Sequence, residues 1–414
     1  MKEEWNKMVK IIGKIFFAFF LLIFLFLNIS VWLNVGSPFN VIFTVPKMLY
    51  PNIVLPVFVV LLTAVVLWMI VLIRNKKQPA GIFMKSLFVI LLFLTINSGI
   101  LIGSILSSES TLSETSSQEM TYSGTVVELT EADFNLEQYH DITNLKFFIP
   151  EESEKKDVLF LCLPYGHWSV HEDLSIFSYL KETMLKNGYS FGFLSCSGSE
   201  DSDIFKMVSE IKDGIKHISE DNRLPFKKII LTGSSAGGHL SLLTAYSENI
   251  PEYDLYQSNM TVDGVVAFCP TVNLMDNYEK YVYNAGTDWY DHIGDVIYST
   301  QDGFDTLKES HIAIMKKIMN GTLEEKKEDY KLACVDYIVH EDVPPTLLIQ
   351  GKDDSMTPYA PTERLYELLT DKGLSADLIS LNSTDHVFDT FFPKISFPTK
   401  IAYDAVLIWS SENY

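Results

Sequence analysis

Positive charge is what this chain has least of. Its 414 residues carry 32 Lys and Arg against 53 Asp and Glu, a formal charge of −21 at pH 7. A surface of that sign repels phosphate, so nucleic acid is set aside as a partner. Cysteine is scarce: Cys162, Cys196, Cys269 and Cys334 are all there is. Three of them fall in or near apolar, strand-like runs, where a thiol packs as a small hydrophobe. A disulfide between Cys162 and Cys196 is the alternative that an oxidising compartment permits. There is no repeat of solenoid length, which excludes an array of stacked units. No small-residue cleavage site follows the first apolar run, and that run is too long for the core of a signal peptide. A retained anchor is expected instead.

What the chain has in excess is apolar length. It is 47% hydrophobic with a mean hydropathy of +0.14, high for a water-soluble protein. Long apolar runs cover about 11–35, 53–73 and 87–106, each near or above the ~20 residues a helix needs to cross a bilayer core. Stretches such as FFAFFLLIFLFL lack the polar face of a globular helix. Residues 1–106 hold nine Lys/Arg and two acids, or +7; the other 308 hold 23 basic and 51 acidic residues, or −28. That split points to two physical environments. Lys2, Lys7, Lys10 and Lys14 precede the first run, Arg74, Lys76 and Lys77 separate the second from the third, and no Lys or Arg follows the third until Lys146. The positive-inside bias then puts the N-terminus and loop 74–81 inside, and everything after about 107 outside. The expectation is a multi-pass protein of the cell membrane. It has three transmembrane helices in residues 1–106, a Ser/Thr/Glu-rich polar linker at 107–125 and an extracytoplasmic domain at 126–414.

In that domain the hydrophobic pattern changes. VLFLCLP (158–164), YSFGFLS (189–195), KKIILTG (227–233), GVVAFCP (264–270), TLLIQG (346–351) and ADLISLN (376–382) are short apolar runs suited to buried strands. Between them, 174–187, 204–220, the segment after 235 and 361–372 read as helices. In 204–220, Ile204, Met207, Val208, Ile211, Ile215 and Ile218 recur at helical spacing. Strand and helix in alternation predict an α/β domain: a mostly parallel sheet with helices on both faces. About 273–341 interrupts the alternation and is expected to form a cap. Its Tyr278, Tyr281, Tyr283, Trp289 and Tyr290 serve equally well as pocket lining or as the cap's own core.

The segment LTGSSAGGHL (231–240) ends a β-branched strand and opens a helix. Only Ser235 fits G-x-S-x-G, since Ser234 would need glycines where Thr232 and Ala236 stand. A nucleophile on a sharp strand-to-helix turn needs small neighbours, and the helix N-terminus behind it favours developing negative charge. A serine needs a base, and the base an orienting carboxylate. TLLIQGKDDSMTP supplies acids directly after a strand, and ISLNSTDHVFD supplies His386 after the next. The chain order is Ser235, Asp354, His386.

On these motifs the stretch 145–410 resembles the α/β-hydrolase superfamily. It is most similar to the esterase/lipase branch of hormone-sensitive-lipase-like and acetyl-xylan or feruloyl esterase-like enzymes. GSSAGGHL resembles that branch's G-x-S-A-G-G-x-L. VPPTLLIQGKDDSMTP resembles its acid segment, which implies Asp354 rather than Asp353 as the acid. STDHVFD resembles G-x-x-H-x-F, with Ser383 in the glycine position. The resemblance implies an α/β-hydrolase fold with a cap, no cofactor, and a serine hydrolase acting on an ester of a surface glycan or an acylated small molecule. The branch's H-G-G-(G/A)-W loop is replaced here by Pro164, Tyr165, Gly166, His167 and Trp168. The implied oxyanion donors are the backbone N–H groups of Gly166, His167 and Ala236, each such donor worth ~3 kcal/mol in a transition state. The same motifs leave open an acyltransferase, a peptidase, or a catalytically silent module for adhesion or sensing. His167 and His171 with Glu172 and Asp173 have a metal-like spacing, but a loop carries them and no third ligand is evident, so no metal is expected. His239 is expected to pack.

Overall fold

The computed structural model describes residues 107–112, 126–130, 142–150, 156–283 and 307–414, apart from 172, 259, 355, 383, 387 and 390–395, together with six helical positions between Leu92 and Gly103. Apart from those six positions, the apolar runs read as membrane spans lie outside the described residues. Among the described residues no helix is long and apolar enough to cross a membrane.

The strands are β1 (Glu109–Ser110), β2 (Val126–Leu129), β3 (Asn144–Pro150), β4 (Val158–Cys162), β5 (Tyr165–Gly166), β6 (Ser169–Val170), β7 (Ser190–Ser195), β8 (Lys228–Ser234), β9 (Gly264–Phe268), β10 (Thr346–Gly351) and β11 (Ala376–Leu381). The helices are α1 (Ser178–Lys186), α2 (Ile204–Glu220), α3 (Ala236–Tyr246), α4 (Leu274–Tyr283), α5 (Leu307–Ile318), α6 (Lys327–Leu332), α7 (Tyr359–Asp371) and α8 (Phe397–Asn413). Nine strands form one sheet in the order β1-β11-β10-β9-β8-β4-β7-β3-β2. From β11 to β7 neighbours run parallel, while β1, β3 and β2 add antiparallel edges. This is the parallel, doubly covered sheet that the alternation predicts.

Period-two packing builds it. Along β4, Leu159 and Leu161 join one core while Val158, Phe160 and Cys162 join the other, all buried. The six apolar positions of α2 are all buried on the first face, and the Asp203 carboxylate caps its N-terminus by accepting from the Lys206 N–H. Trp409 of α8 is buried in the second core. All four cysteines are free and buried. Cys162 and Cys196 lie in cores on opposite faces of the sheet, which is why the alternative disulfide does not form.

Two regions differ from the sequence expectation. The stretch read as a polar linker, 107–125, begins inside the sheet. Glu109 and Ser110 pair antiparallel with Ser380 and Ile379, and the Leu378 and Asn382 N–H groups donate to the Thr111 and Ser108 hydroxyls. After the strand read as the last one, the chain continues into α8, with Ser396 accepting from the Thr399 N–H at its start.

The insertion at 273–341 supplies α4, α5 and α6. Tyr278 is buried against Tyr330, ring centroids 5.5 Å apart, and so belongs to a core. Tyr281 stacks on His311 at 4.4 Å. Trp289 and Tyr290, and the side chain of Tyr283, lie outside the described residues.

Candidate active site

The parallel strands deliver their following loops to one end of the sheet. β8 leads to Ser235, β10 to Asp354 and β11 to His386. Ser235 sits between strand and helix with φ 57° and ψ −117°, a left-handed conformation that costs a non-glycine residue ~1–3 kcal/mol and persists only when neighbours hold it. They do so by closeness. A Cβ on Gly233 would lie 2.4 Å from the Gly237 carbonyl carbon, and one on Gly237 would lie 2.3 Å from the Leu163 oxygen. Glycine is required at both places because backbone meets backbone there. The Ser235 N–H donates to the Phe268 carbonyl of β9, which pins the turn.

The structure brings the three candidates together. Ser235 Oγ lies 2.9 Å from His386 Nε2, and His386 Nδ1 lies 2.8 Å from Asp354 Oδ2. Asp354 is 1% exposed. It is held by the N–H groups of Met356 and Thr357 on one oxygen, and by the Gln350 amide and Thr357 hydroxyl on the other. Each carboxylate oxygen thus has donors, and none is left buried without a partner. When His386 Nδ1 donates to Asp354, Nε2 presents a lone pair to the Ser235 hydroxyl. The His386 ring is pulled two ways. Burial favours its neutral form, but the Asp354 carboxylate, with Cys269 adding in the same sense, prevails and raises the ring well above its usual range. Asp353 is not at this contact; its N–H donates to the Thr384 carbonyl.

The loop holding Gly166 and His167 is a hairpin. Gly166 pairs with Ser169 across β5 and β6, and the two residues between them, His167 and Trp168, have φ of 51° and 60°. That is a two-residue turn of the I′ kind, which normally selects Asn and Gly. Tertiary contacts impose it here. Trp168 Nε1 donates to His239 Nδ1 at 3.1 Å, and His239 Nε2 is 2.9 Å from the Ala333 carbonyl. The Ser199 N–H donates to the Trp168 carbonyl. The loop carrying Ser199 is tied in turn to the buried Glu210 through the Ser197 N–H and hydroxyl. His167 Nε2 lies 3.0 Å from His311 Nε2 of α5, so the cap is bonded to this turn. Burial first, then the nearby His386 and His171, lower His167 to about 4; it is neutral at pH 7. Ala236 is the first residue of α3, where backbone N–H groups have no intrahelical acceptor.

His171 does not join His167 in a ligand set. Its ring packs where a Cβ on Gly166 would be, 2.4 Å from Nε2. Among the described residues, the group with metal-like spacing is Cys269, Asp354 and His386, of which the last two already bond each other. His239 packs, buried, as expected. Sequence reasoning missed Thr357, Cys269, and the contact of Ser234 Oγ with Asp389 at 3.1 Å. Thr357, three residues beyond Asp354, could have been found, since a threonine there can return its N–H and hydroxyl to the carboxylate.

The family model of BD-FAE matches residues 145–369. Among solved structures, an inhibited esterase B from Lactobacillus rhamnosis is similar at TM-score 0.52 and 16% identity, over 69% of this chain and 87% of that one. Carboxyl esterase 2 of Tuber melanosporum reaches TM-score 0.50 at 13% identity, over 73% and 90%. A hormone-sensitive lipase from a metagenome library reaches 0.50 at 14%, over 71% and 88%. Among curated proteins, a non-reducing polyketide synthase of Preussia isomera is 42% identical over 45 residues, 11% of this chain; the chain spans about 2% of that synthase.

Proposed function

The chain belongs to the BD-FAE family, and from that premise we propose that it is a serine ester hydrolase whose Ser235, His386 and Asp354 carry its chemistry through an acyl-enzyme. Ser235 Oγ attacks the ester carbonyl carbon as its proton passes to His386 Nε2. The C–O bond to the alcohol then breaks, and the same proton leaves with the alcohol. Water, deprotonated by His386, attacks the acyl-serine; the carboxylic acid departs and the proton returns to Ser235. Asp354 holds the ring in the required tautomer. The role of oxyanion donor is assigned to the N–H groups of Gly166, His167 and Ala236, the last at the open N-terminus of α3. The observation that carries this reading is the continuous contact of Ser235 with His386 and of His386 with Asp354, at 2.9 and 2.8 Å.

The test is the pH dependence of hydrolysis of a short-chain nitrophenyl ester. His386 accepts a proton only when neutral, and its pKa is raised. The rate constant kcat/KM is therefore expected to climb with pH through a limb above 6.5, and Asp354→Asn is expected to move that limb downward. A limb that ignores Asp354→Asn would contradict the roles assigned.

We also propose that the three apolar runs of residues 1–106 anchor the enzyme in the cell membrane with 107–414 outside. The charge asymmetry and hydropathy of the sequence support this. Protease added to intact cells should then remove the hydrolase domain; full protection would reverse the assigned sidedness.

A further inference from the structure

The end of the sheet at which the chain enters it is the end that carries the site. β11 runs from Ala376 to Leu381 toward His386, and β1 runs against it, Glu109 opposite Ser380 and Ser110 opposite Ile379. Residues preceding Glu109 therefore lie beyond Leu381, at the His386 end. Two contacts fix them there. The Asn382 side-chain amide donates to the Ser107 carbonyl, and the Asn382 N–H donates to the Ser108 hydroxyl. Because β8, β10 and β11 are parallel, this is also the end at which Ser235 and Asp354 sit. The chain's C-terminus lies at the other end, where the Tyr414 hydroxyl meets the Asp263 carbonyl just before β9.

Almost no slack separates this pinning from the last apolar run, which ends at Leu106. The Ser107 N–H donates to the Gly103 carbonyl, which ties Ser107 back to the helical position at Gly103. Two residues lie between Leu106 and Glu109, so the two are at most ~10 Å apart even when the chain is extended. Along the helical positions before them, Leu92, Ile96 and Ile100 are 37%, 56% and 54% exposed while Thr95 is buried. Leu92, Ile96 and Ile100 are four apart, an apolar stripe on one side of a helix, continuous with the long apolar runs and suited to lipid chains.

Resting on the membrane reading above, we infer that the domain stands with the Ser235–His386 end of its sheet toward the bilayer, and that its substrate is an uncharged ester amphiphile drawn from that leaflet. The charge of −28 on residues 107–414 selects against an anionic lipid, which it repels. A short attachment sets a high effective concentration for esters lying in the same membrane.

The experiment reconstitutes the full chain in phosphatidylcholine vesicles and supplies dioleoylglycerol either in those vesicles or in separate ones. Hydrolysis is expected to be at least tenfold faster when enzyme and ester share a vesicle. Inserting twenty Gly/Ser residues between Leu106 and Ser107 should reduce that advantage, with nitrophenyl acetate turnover unchanged as the check that the domain is intact. Equal rates from shared and separate vesicles, measured on the unaltered chain, would overturn the inference whatever the insertion variant does. Failure of the protein to float with vesicles would remove the membrane reading and this inference with it. Hydrolysis of dioleoylglycerol surviving Ser235→Ala would instead remove the assignment of the nucleophile.

Discussion

Ser235→Ala is expected to lower kcat for a short-chain nitrophenyl ester by about five orders of magnitude, with the protein still folded. Removing the attacking oxygen abolishes the acyl-enzyme route and leaves only what binding and oxyanion donors contribute; triad members act as a unit, so losing one forfeits nearly the whole effect. The substitution is mild for the fold. Alanine keeps the Cβ, and the Ser235 backbone anchors, its N–H to the Phe268 carbonyl and its carbonyl to the His239 N–H, are untouched. The neighbouring Ser234→Ala is the control. Its hydroxyl faces Asp389 and Cys269 rather than His386, so kcat should change by less than about tenfold. A loss at Ser234 equal to that at Ser235 would mean that the turn's geometry, and not one hydroxyl, is being read.

Asp354→Asn is expected to cost about 10⁴-fold in kcat, the effect of presenting the base in the wrong tautomer. Both carboxylate oxygens accept. Met356 and Thr357 donate to one, and Gln350, Thr357 and His386 approach the other. An Asn side chain must set an NH₂ against donors on one side or the other. If the NH₂ faces His386, Nδ1 becomes the acceptor, Nε2 carries the hydrogen, and the Ser235 proton has nowhere to go. Because Asp354 is buried, the variant should also lose stability, since donors fixed in the protein are left without an acceptor at ~1–3 kcal/mol each. Melting temperature and kcat should be measured together, and kcat compared at a temperature where both proteins are folded. Asp353→Asn, at a position outside the His386 contact, should change kcat by less than about threefold.

The parts legible in the sequence were those whose physics is local. The apolar run of β8 with Gly233 and Gly237 around Ser235 announces a strand, a tight approach and a helix start. The strands before Asp354 and His386 were visible for the same reason. What stayed hidden depends on partners far away in the chain. β1 is Glu and Ser, with no apolar pattern, and is a strand only because the β11 edge has donors and acceptors to meet. The turn at His167–Trp168 has residues that disfavour positive φ, and it is imposed by His239, Ser199 and His311. α8 lies beyond the last strand of the alternation, and its opening signals are Ser396 before it and Pro398 near its start. The short register of β1 mattered most for function. It pairs Glu109 and Ser110 with the β11 edge only three residues after the last apolar run ends, at the end of the sheet that carries His386.

The most direct measurement is the mass-spectrometric location of the adduct left by a fluorophosphonate on the full chain at neutral pH. Attack at phosphorus expels fluoride and leaves a stable phosphonyl ester on the activated hydroxyl. One adduct per chain is expected, on Ser235, and lost in both Ser235→Ala and His386→Ala. A folded protein that takes no label, or that takes it on another residue, would contradict the assignment of Ser235 as nucleophile.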